Sequence, residues 1–221
     1  MKIFLDTANL EEIKQVHEWG ILDGVTTNPT LIAQEKGVDY KTRLAEICQV
    51  CKGPISAEVV ATDAPGMLRE ADAFLGIADN IAIKFPTTLE GLKALKVLAG
   101  KGVMVNMTLC FQPLQALLVA KLGATFVSPF VGRLDDIEDP GMHLVQSIRK
   151  IYDNYHFKTQ ILAASIRTML HLVQAAEIGA DVATMPFKVA QSMVRHPLTD
   201  IGLQKFLEDW RDAQRAPQMR V

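Results

Sequence analysis

The 221-residue sequence predicts a single α/β domain, because short apolar segments rich in β-formers alternate with amphipathic segments along its length. Strict alternation of strand and helix implies a parallel sheet with right-handed crossovers. Eight parallel strands can close without exposed edges, so the predicted architecture is a (β/α)8 TIM barrel with an extra C-terminal helix. The eight strand-like segments are 3–7, 24–28, 55–60, 81–86, 103–108, 126–131, 160–165 and 182–186.

Seven amphipathic segments follow the strands with the 3.6-residue apolar period of helices, at 9–19, 38–52, 63–78, 88–100, 112–122, 140–156 and 168–178. A glycine near the helix exit supports four of them: Gly20, Gly53, Gly123 and Gly179. A final helix is predicted at 199–210, and residues 211–221 are expected to be a loose tail. The apolar face of that final helix consists of Leu203, Phe206, Leu207 and Trp210.

An open, doubly wound sheet is the alternative to a closed barrel. The sequence contains neither a G-x-G-x-x-G motif nor a P-loop, so a nucleotide-binding sheet has no fingerprint to support it. No linker rich in proline, glycine or serine divides the chain. We therefore expect residues 1–221 to form one domain.

Composition and charge argue against several classes of function. The formal net charge is −2, so the chain lacks the basic excess that binding to nucleic acid or to an anionic membrane requires. No apolar run approaches the roughly 18 residues of a membrane span. The three cysteines are an odd number, and the chain opens on the strand-like Ile3-Phe4-Leu5 without a secretory leader. These features predict a cytoplasmic protein.

Cys48 and Cys51 form a C-x-x-C pair near the end of a predicted helix. A redox pair of this spacing usually lies between a strand and the start of a helix, and no second pair completes a zinc site. We interpret both as small, half-buried helix residues, with redox or metal chemistry as the alternative.

Strand alternation predicts which side chains enter the barrel, because successive residues point to opposite faces. In the fourth strand the bulky Ile81, Ile83 and Phe85 share the outward face, and Lys84 points inward. Barrel enzymes assemble their sites at the carboxyl ends of the strands. Lys84 is therefore either a structural partner of a carboxylate or a catalytic amine. The other polar residues assigned inward are Asp6, Thr26, Asn28, Ser56, Glu58, Asn106, Thr108, Ser128, Ser165 and Arg167.

Several longer motifs resemble transaldolases. They read FLDTAN, GVTTNP, SAEV, IKFP, NMT, SPFVGR, AASIR and HPLTD, at 4–9, 24–29, 56–59, 83–86, 106–108, 128–133, 163–167 and 196–200. The similarity runs from residue 1 to about 210. It is strongest to the short, single-domain microbial transaldolases, a group that also contains fructose-6-phosphate aldolases.

The resemblance implies a catalytic role for four matched residues. Lys84 would form a Schiff base with a ketose phosphate and hold the cleaved dihydroxyacetone unit, without a metal or organic cofactor. Asp6 would be the acid/base that acts as the carbon–carbon bond breaks. Glu58, with Thr108, would hold a water that shuttles protons.

The resemblance also implies how the sugar phosphate is bound. Asn28, Asn106 and Ser128 would orient the hydroxyl groups of the dihydroxyacetone unit. Arg133 and Arg167, beside Ser165, would bind the phosphate, since guanidinium groups match phosphate oxygens in a bidentate way.

Phe130, Glu58 and Asn106 bear on the type of reaction. The aldolases of the group tend to carry tyrosine and glutamine at the first two positions and lack the asparagine. A phenylalanine cannot protonate the bound carbanion, so the intermediate would wait for an aldehyde acceptor. This favours a transaldolase of the non-oxidative pentose phosphate pathway. An aldolase that releases dihydroxyacetone, or a non-catalytic sugar-phosphate-binding barrel, remains the alternative.

The same resemblance implies a homo-oligomer, a pentamer or a decamer built on rings, in which the C-terminal helix reaches a neighbour. The apolar face of the predicted helix at 199–210 suits that role, and it could equally fold back on its own barrel.

Overall fold

The computed structural model describes residues 1–215 and contains a closed barrel of eight parallel strands. Each strand pairs with the next in sequence, and the eighth pairs with the first. The predicted (β/α)8 barrel is confirmed, and this closure excludes the open sheet. The strands are β1 (Lys2–Asp6), β2 (Gly24–Thr26), β3 (Ile55–Glu58), β4 (Ile81–Pro86), β5 (Val105–Cys110), β6 (Phe126–Pro129), β7 (Gln160–Ala163) and β8 (Val182–Met185).

Helices connect the strands, and the part of the chain that the structure describes contains none long and apolar enough to cross a membrane. Three of them, α2, α7 and α10, were not predicted, because segments of five or six residues are too short to show a helical period. The helices are α1 (Leu10–Glu18), α2 (Pro29–Gln34), α3 (Tyr40–Val50), α4 (Ala64–Leu75), α5 (Leu89–Ala99), α6 (Pro113–Lys121), α7 (Val131–Asp135), α8 (Gly141–Tyr155), α9 (Met169–Ile178), α10 (Phe187–Ser192) and α11 (Pro197–Arg215).

Some boundaries differ from the prediction. Strand β5 begins at Val105 and not at Val103, whose N–H still donates to the Leu98 carbonyl of the helix exit at 3.1 Å. The sixth strand ends at Pro129, since the chain enters α7 at Val131. Helix α11 continues to Arg215, so the first five residues of the predicted tail are helical. Residues 216–221 lie outside the described residues.

The outward face of the strands packs beneath the helices as predicted. Ile81, Ile83 and Phe85 of β4 are buried in the large cluster between sheet and helices. Burial of such side chains contributes roughly 1.5–3 kcal/mol each to stability. The helices therefore hold the barrel from outside, and the inward face is left to other residues.

A second apolar cluster fills the lower part of the barrel, where Phe4 and Phe126 meet edge to face at 6.0 Å. Gly24 makes room for this packing, because a Cβ there would lie 2.5 Å from the Phe4 ring. Four of the five residues of this cluster lie two residues before a residue that lines a polar pocket above them, and the fifth, Ala164, lines that pocket itself. We call these four the plug residues, because they close the barrel below the pocket: Phe4, Phe126, Leu162 and Val182. The corresponding pocket residues are Asp6, Ser128, Ala164 and Thr184.

The two cysteines of the C-x-x-C pair are free and buried, Cys48 inside α3 and Cys51 directly after it. They are more deeply buried than the sequence suggested. Burial raises the pKa of both thiols. Because the thiolate is the reactive and metal-binding form, this supports a structural role.

Candidate active site

Polar residues from the carboxyl ends of the strands line one pocket, as predicted. An adjoining cleft shares Lys84 and Phe130 with it and adds Glu58 and Leu109. Seven predicted site residues line the pocket itself, whose complete wall is Asp6, Thr26, Asn28, Lys84, Ser128, Phe130, Arg133, Ala164, Ser165 and Thr184.

Lys84 projects from β4 into this pocket and is only 4% exposed. Its Nζ lies 2.9 Å from Glu58 Oε2 and donates a hydrogen bond to the Thr27 carbonyl at 3.3 Å. Glu58 and Lys84 are register partners on the neighbouring strands β3 and β4, so the sheet itself brings them together. Removing one partner of a buried ion pair typically costs about 3–5 kcal/mol.

Asp6 ends β1, two strands away from Glu58 in the barrel, and lines the pocket. Thr26 donates from its Oγ1 to Asp6 Oδ1 at 2.6 Å. Burial raises the pKa of Asp6, although the charge of Lys84 and the Thr26 hydrogen bond both oppose the rise. A carboxylate with a raised pKa holds a proton more firmly, which suits a group that takes and returns protons.

Thr184 of β8 completes this side of the pocket and was not among the predicted site residues. Its Oγ1 lies 2.6 Å from Thr26 Oγ1. Since the one proton of Thr26 goes to Asp6, Thr184 is the donor of this second bond. The sequence signal that could have identified Thr184 is strand alternation, since it lies two residues after Val182 and so points to the same, inward side of the barrel.

A buried relay crosses the barrel behind Lys84. Ser128 Oγ donates to Asn106 Oδ1 at 2.7 Å, and Asn106 Nδ2 donates to Ser56 Oγ at 3.1 Å. The relay fixes the orientation of the Asn106 side-chain amide. Asn106 lies on β5 and is the register partner of Lys84. Asn106 is therefore placed behind the pocket wall.

Thr108 lies at an irregularity in β5. The pairing of β5 with β6 shifts by one residue between Met107 and Cys110, and Leu109 has a φ of 56°. This left-handed conformation is strained for any residue other than glycine. Backbone strain and β-bulges concentrate at functional sites. Within residues 1–215, the buried hydroxyl of Thr108 has no hydrogen-bond partner.

Asn28 and Arg133 occupy the rim. The Asn28 side-chain oxygen accepts the Leu31 N–H at 2.9 Å and so caps α2, while the residue also lines the pocket. The guanidinium of Arg133 lies 5.5 Å from the centre of the Phe130 ring, a cation–π contact that holds it at the pocket mouth.

Ser165 and Arg167 are separated, although strand parity grouped them on the inward face. Strand β7 ends at Ala163, and the φ of 57° at Ser165 turns that residue into the pocket. Leu162 of β7 and Ala164, directly after the strand, belong to the apolar cluster inside the barrel, so Ser165 and Arg167 have the opposite parity. The inward assignment of Arg167 is therefore wrong, because alternation does not continue past the end of a strand.

Arg167 lies beside the pocket and is held there by Asp136. Both of its terminal nitrogens contact the two carboxylate oxygens, one of them at 2.6 Å. The pairing lowers the pKa of Asp136 and raises that of Arg167. Its stem packs over Gly132 in α7, next to Arg133.

Fold and site together define a (β/α)8 barrel in which a lysine paired with a glutamate opens into a polar pocket at the carboxyl ends of the strands. The family model described as Transaldolase/Fructose-6-phosphate aldolase matches residues 3–217. The chain therefore belongs to the transaldolase/fructose-6-phosphate aldolase family and is an enzyme of this kind, which confirms the resemblance seen in the motifs.

Three curated relatives that align over nearly the whole chain are each named a probable transaldolase. The relative from Chelativorans sp. (strain BNC1) is 59% identical over 210 residues, which are 95% of this chain and 96% of the relative. The relative from Geotalea uraniireducens (strain Rf4) is 55% identical over 210 residues, 95% of this chain and 98% of the relative. The relative from Aquifex aeolicus (strain VF5) is 53% identical over 217 residues, 98% of this chain and all of the relative.

Proposed function

We propose that this chain is a transaldolase that moves a dihydroxyacetone unit from a ketose phosphate to an aldose phosphate through a Schiff base on Lys84. The observation that carries the proposal is the buried amine itself. Its nitrogen lies 2.9 Å from the Glu58 carboxylate and faces the pocket that Asp6 also lines. A structural ion pair alone would not need a pocket of polar groups around it.

Schiff-base formation begins with a proton transfer. Glu58 accepts a proton from Lys84 across the 2.9 Å contact, and the neutral amine adds to the ketose carbonyl. The next step needs a proton delivered to the departing oxygen, and loss of water from the neutral adduct then leaves a protonated imine. A water held by Glu58 and the buried Thr108 hydroxyl would deliver this proton.

Asp6 acts in the bond-breaking step. It takes the proton of the sugar hydroxyl while the adjacent carbon–carbon bond breaks, and the bonding electrons move into the protonated imine to form a neutral enamine. The aldose leaves, and the three-carbon unit stays on Lys84. An incoming aldehyde reverses these steps, with Asp6 returning the proton. The raised pKa of Asp6 supports both directions.

We assign one side of the pocket to the hydroxyl groups of the substrate and the rim to its phosphate. Asn28 and Ser128 orient the dihydroxyacetone unit on the Lys84 side, and Asn106 behind the wall accepts from Ser128 and supports this arrangement. Arg133 and Ser165 at the rim bind the phosphate. Arg167 joins them by exchanging the Asp136 carboxylate for the phosphate, which offers the same bidentate geometry.

Transfer is favoured over simple aldol cleavage by Phe130, which lines the pocket beside Lys84. Its ring carries no proton that could quench the enamine, so the bound unit persists until an acceptor arrives. The names of the curated relatives support the same choice.

The substrates that we propose are sedoheptulose 7-phosphate and glyceraldehyde 3-phosphate, which give erythrose 4-phosphate and fructose 6-phosphate. This reaction belongs to the non-oxidative pentose phosphate pathway, and we place the enzyme in the cytoplasm. We further propose a homo-oligomer, a pentamer or decamer, in which α11 packs on a neighbouring copy. Its exposed apolar face supports that assembly, with Phe206 72% and Trp210 63% exposed.

Reductive trapping tests the mechanism. Fructose 6-phosphate and borohydride should give a mass adduct on the peptide that contains Lys84, and Lys84→Ala should show neither adduct nor turnover. An unmodified Lys84 would rule out the Schiff base. Fructose 6-phosphate alone should release little free dihydroxyacetone, whereas added erythrose 4-phosphate should give rapid transfer. Stoichiometric dihydroxyacetone without an acceptor would identify an aldolase instead.

A further inference from the structure

The hydrogen-bond ladder between β2 and β3 is interrupted directly beneath Lys84. Val25 N–H donates to the Pro54 carbonyl at 3.0 Å, and Thr27 N–H donates to the Ser56 carbonyl at 3.2 Å. In a regular parallel ladder the next rung would join Glu58 N–H to the Thr27 carbonyl. Both of these groups have other partners here.

The carbonyl and the N–H of the missing rung each form a hydrogen bond with a side chain instead. The Thr27 carbonyl accepts from Lys84 Nζ at 3.3 Å. The Glu58 N–H donates to the hydroxyl of Tyr40 at 2.8 Å. The phenol oxygen therefore replaces the carbonyl as acceptor, and the carbonyl becomes available to the lysine.

Tyr40 is itself fixed in place. It is the first residue of α3, and its ring packs against Phe74 with the centres 5.0 Å apart. Its hydroxyl also lies 3.2 Å from Thr27 Oγ1. Because Thr27 Oγ1 gives its proton to the Ser56 carbonyl, Tyr40 is the donor in this contact. Burial raises the pKa of the Tyr40 phenol, so it keeps the proton that this bond needs.

We propose that Tyr40 is a positioning residue for Lys84. By holding the Glu58 N–H, its hydroxyl keeps the Thr27 carbonyl free, and the lysine nitrogen is fixed between this carbonyl and the Glu58 carboxylate. The proposal rests on the proposed function, since it assigns Tyr40 to the geometry of the Schiff-base amine. It acts through Lys84 and touches neither substrate nor reacting atoms.

The variant that tests this is Tyr40→Phe, which deletes the hydroxyl and keeps the ring against Phe74. The Glu58 N–H is expected to close the missing rung with the Thr27 carbonyl, so the protein should fold. Lys84 then loses one of its two fixed contacts. We expect kcat to fall about tenfold to hundredfold, the usual cost of a misplaced reacting group. The KM for the acceptor aldehyde should change less than twofold.

The matched control is Phe74→Leu, which loosens the packing of the Tyr40 ring and leaves the hydroxyl. It should lower the thermal unfolding midpoint while kcat per folded enzyme stays within twofold. If the two variants lose kcat equally, Tyr40 merely anchors α3 and the proposal is overturned.

A second readout needs no substrate. Acetylation of Lys84 by acetic anhydride, followed by peptide mass spectrometry, is compared with the exposed Lys101 in the same sample. Loss of the carbonyl contact should make Lys84 react at least threefold faster in Tyr40→Phe at pH 7.5. An identical ratio in both proteins would overturn the proposal even if kcat had fallen.

The two experiments separate this inference from the proposed function. If borohydride leaves wild-type Lys84 unmodified, the Schiff base fails, yet the acetylation ratio still tests the coupling between Tyr40 and Lys84. Should Tyr40→Phe not fold, 3,5-difluorotyrosine placed at position 40 by codon suppression keeps the hydroxyl but weakens it as an acceptor. It should shift the acetylation ratio in the same direction, and an unchanged ratio would refute the role.

Discussion

Asp6 is a half-buried carboxylate in the wall of the pocket. The pKa of Asp6 is raised above its ordinary value of 3.8 by burial, and neither the charge of Lys84 nor the Thr26 hydrogen bond fully offsets this. The residue therefore costs the folded state free energy whenever it is ionised. Such a cost is expected of a catalytic acid/base whose reactivity depends on incomplete solvation.

The pH dependence of stability follows from that shift. Well below pH 3.8 Asp6 is protonated in both the folded and the unfolded state and contributes nothing. Between this pH and the raised folded value, the folded state binds more protons, so stability falls as pH rises. Asp6→Asn should therefore raise the unfolding midpoint at pH 7 and have little effect near pH 3.5.

Calorimetry at both pH values measures this difference, and Asp153→Asn on the outside of α8 is the control. The same Asp6 variant should lose about 10²–10⁴-fold in turnover. A midpoint at pH 7 below that of the wild type would contradict the burial cost.

Single residues also mark the limits of reading a site from sequence. The alternation of side chains along each strand is enough to place Lys84, Asp6 and Glu58 on the inward surface, because it can be read from the sequence without knowing the fold. It missed Tyr40, whose contact runs through a backbone N–H on another element. It misplaced Arg167, since the φ of Ser165 breaks the alternation.

At the scale of elements, the short helix α7 sets the distance between the phosphate-binding candidates. Its Gly132 N–H donates to the Ser165 carbonyl at 3.1 Å, which joins the helix to the end of β7. A Cβ at Gly132 would lie 2.4 Å from that carbonyl oxygen and 2.7 Å from Arg167 Nε. Glycine is therefore required here by a close approach of two backbones.

Gly132→Ala should push α7 away from β7 and spread Arg133, Ser165 and Arg167 apart. We expect the KM for a phosphorylated ketose to rise at least tenfold, with a loss of about 1–3 kcal/mol in stability from overpacking. Steady-state kinetics and chemical denaturation measure both effects.

Gly202→Ala in α11 is the matched control, because open space surrounds that position. It should stabilise the helix by about 0.5–1 kcal/mol and leave the KM unchanged. An unaltered KM in Gly132→Ala would remove α7 from phosphate binding.

Elements with a long apolar period were predictable, and those set by local geometry were not. The helical segments between strands were placed within a few residues, as amphipathic periodicity requires. The bulge at Leu109 and the short helices α2, α7 and α10 follow from turn geometry and tertiary contacts, which leave no periodic signal. These unpredicted pieces carry Arg133 and the cap residue Asn28, so they shape the pocket rim.

At the scale of the whole molecule, barrel closure followed from counting strands, whereas assembly does not follow from one chain. Helix α11 carries an apolar face that its own barrel leaves uncovered, since Leu203, Leu207 and Trp210 are 59%, 48% and 63% exposed. Exposed apolar patches of this kind mark interaction sites. Of the two roles that the sequence left open, a fold back onto the parent barrel is not what the structure contains.

If a neighbouring copy covers α11, as we propose, charge introduced on the apolar face of this helix should break the assembly apart. Phe206→Glu combined with Trp210→Glu would bury two carboxylates without partners, a cost of several kcal/mol per site. Analytical ultracentrifugation should show a large complex for the wild type and smaller species, down to the 24.4 kDa chain, for the double variant. Lys205→Glu, on the opposite side of the same helix, adds comparable charge and should leave the complex whole. A wild-type protein that sediments as a single chain would show that α11 has no partner of its own kind, and its apolar face would then need another explanation.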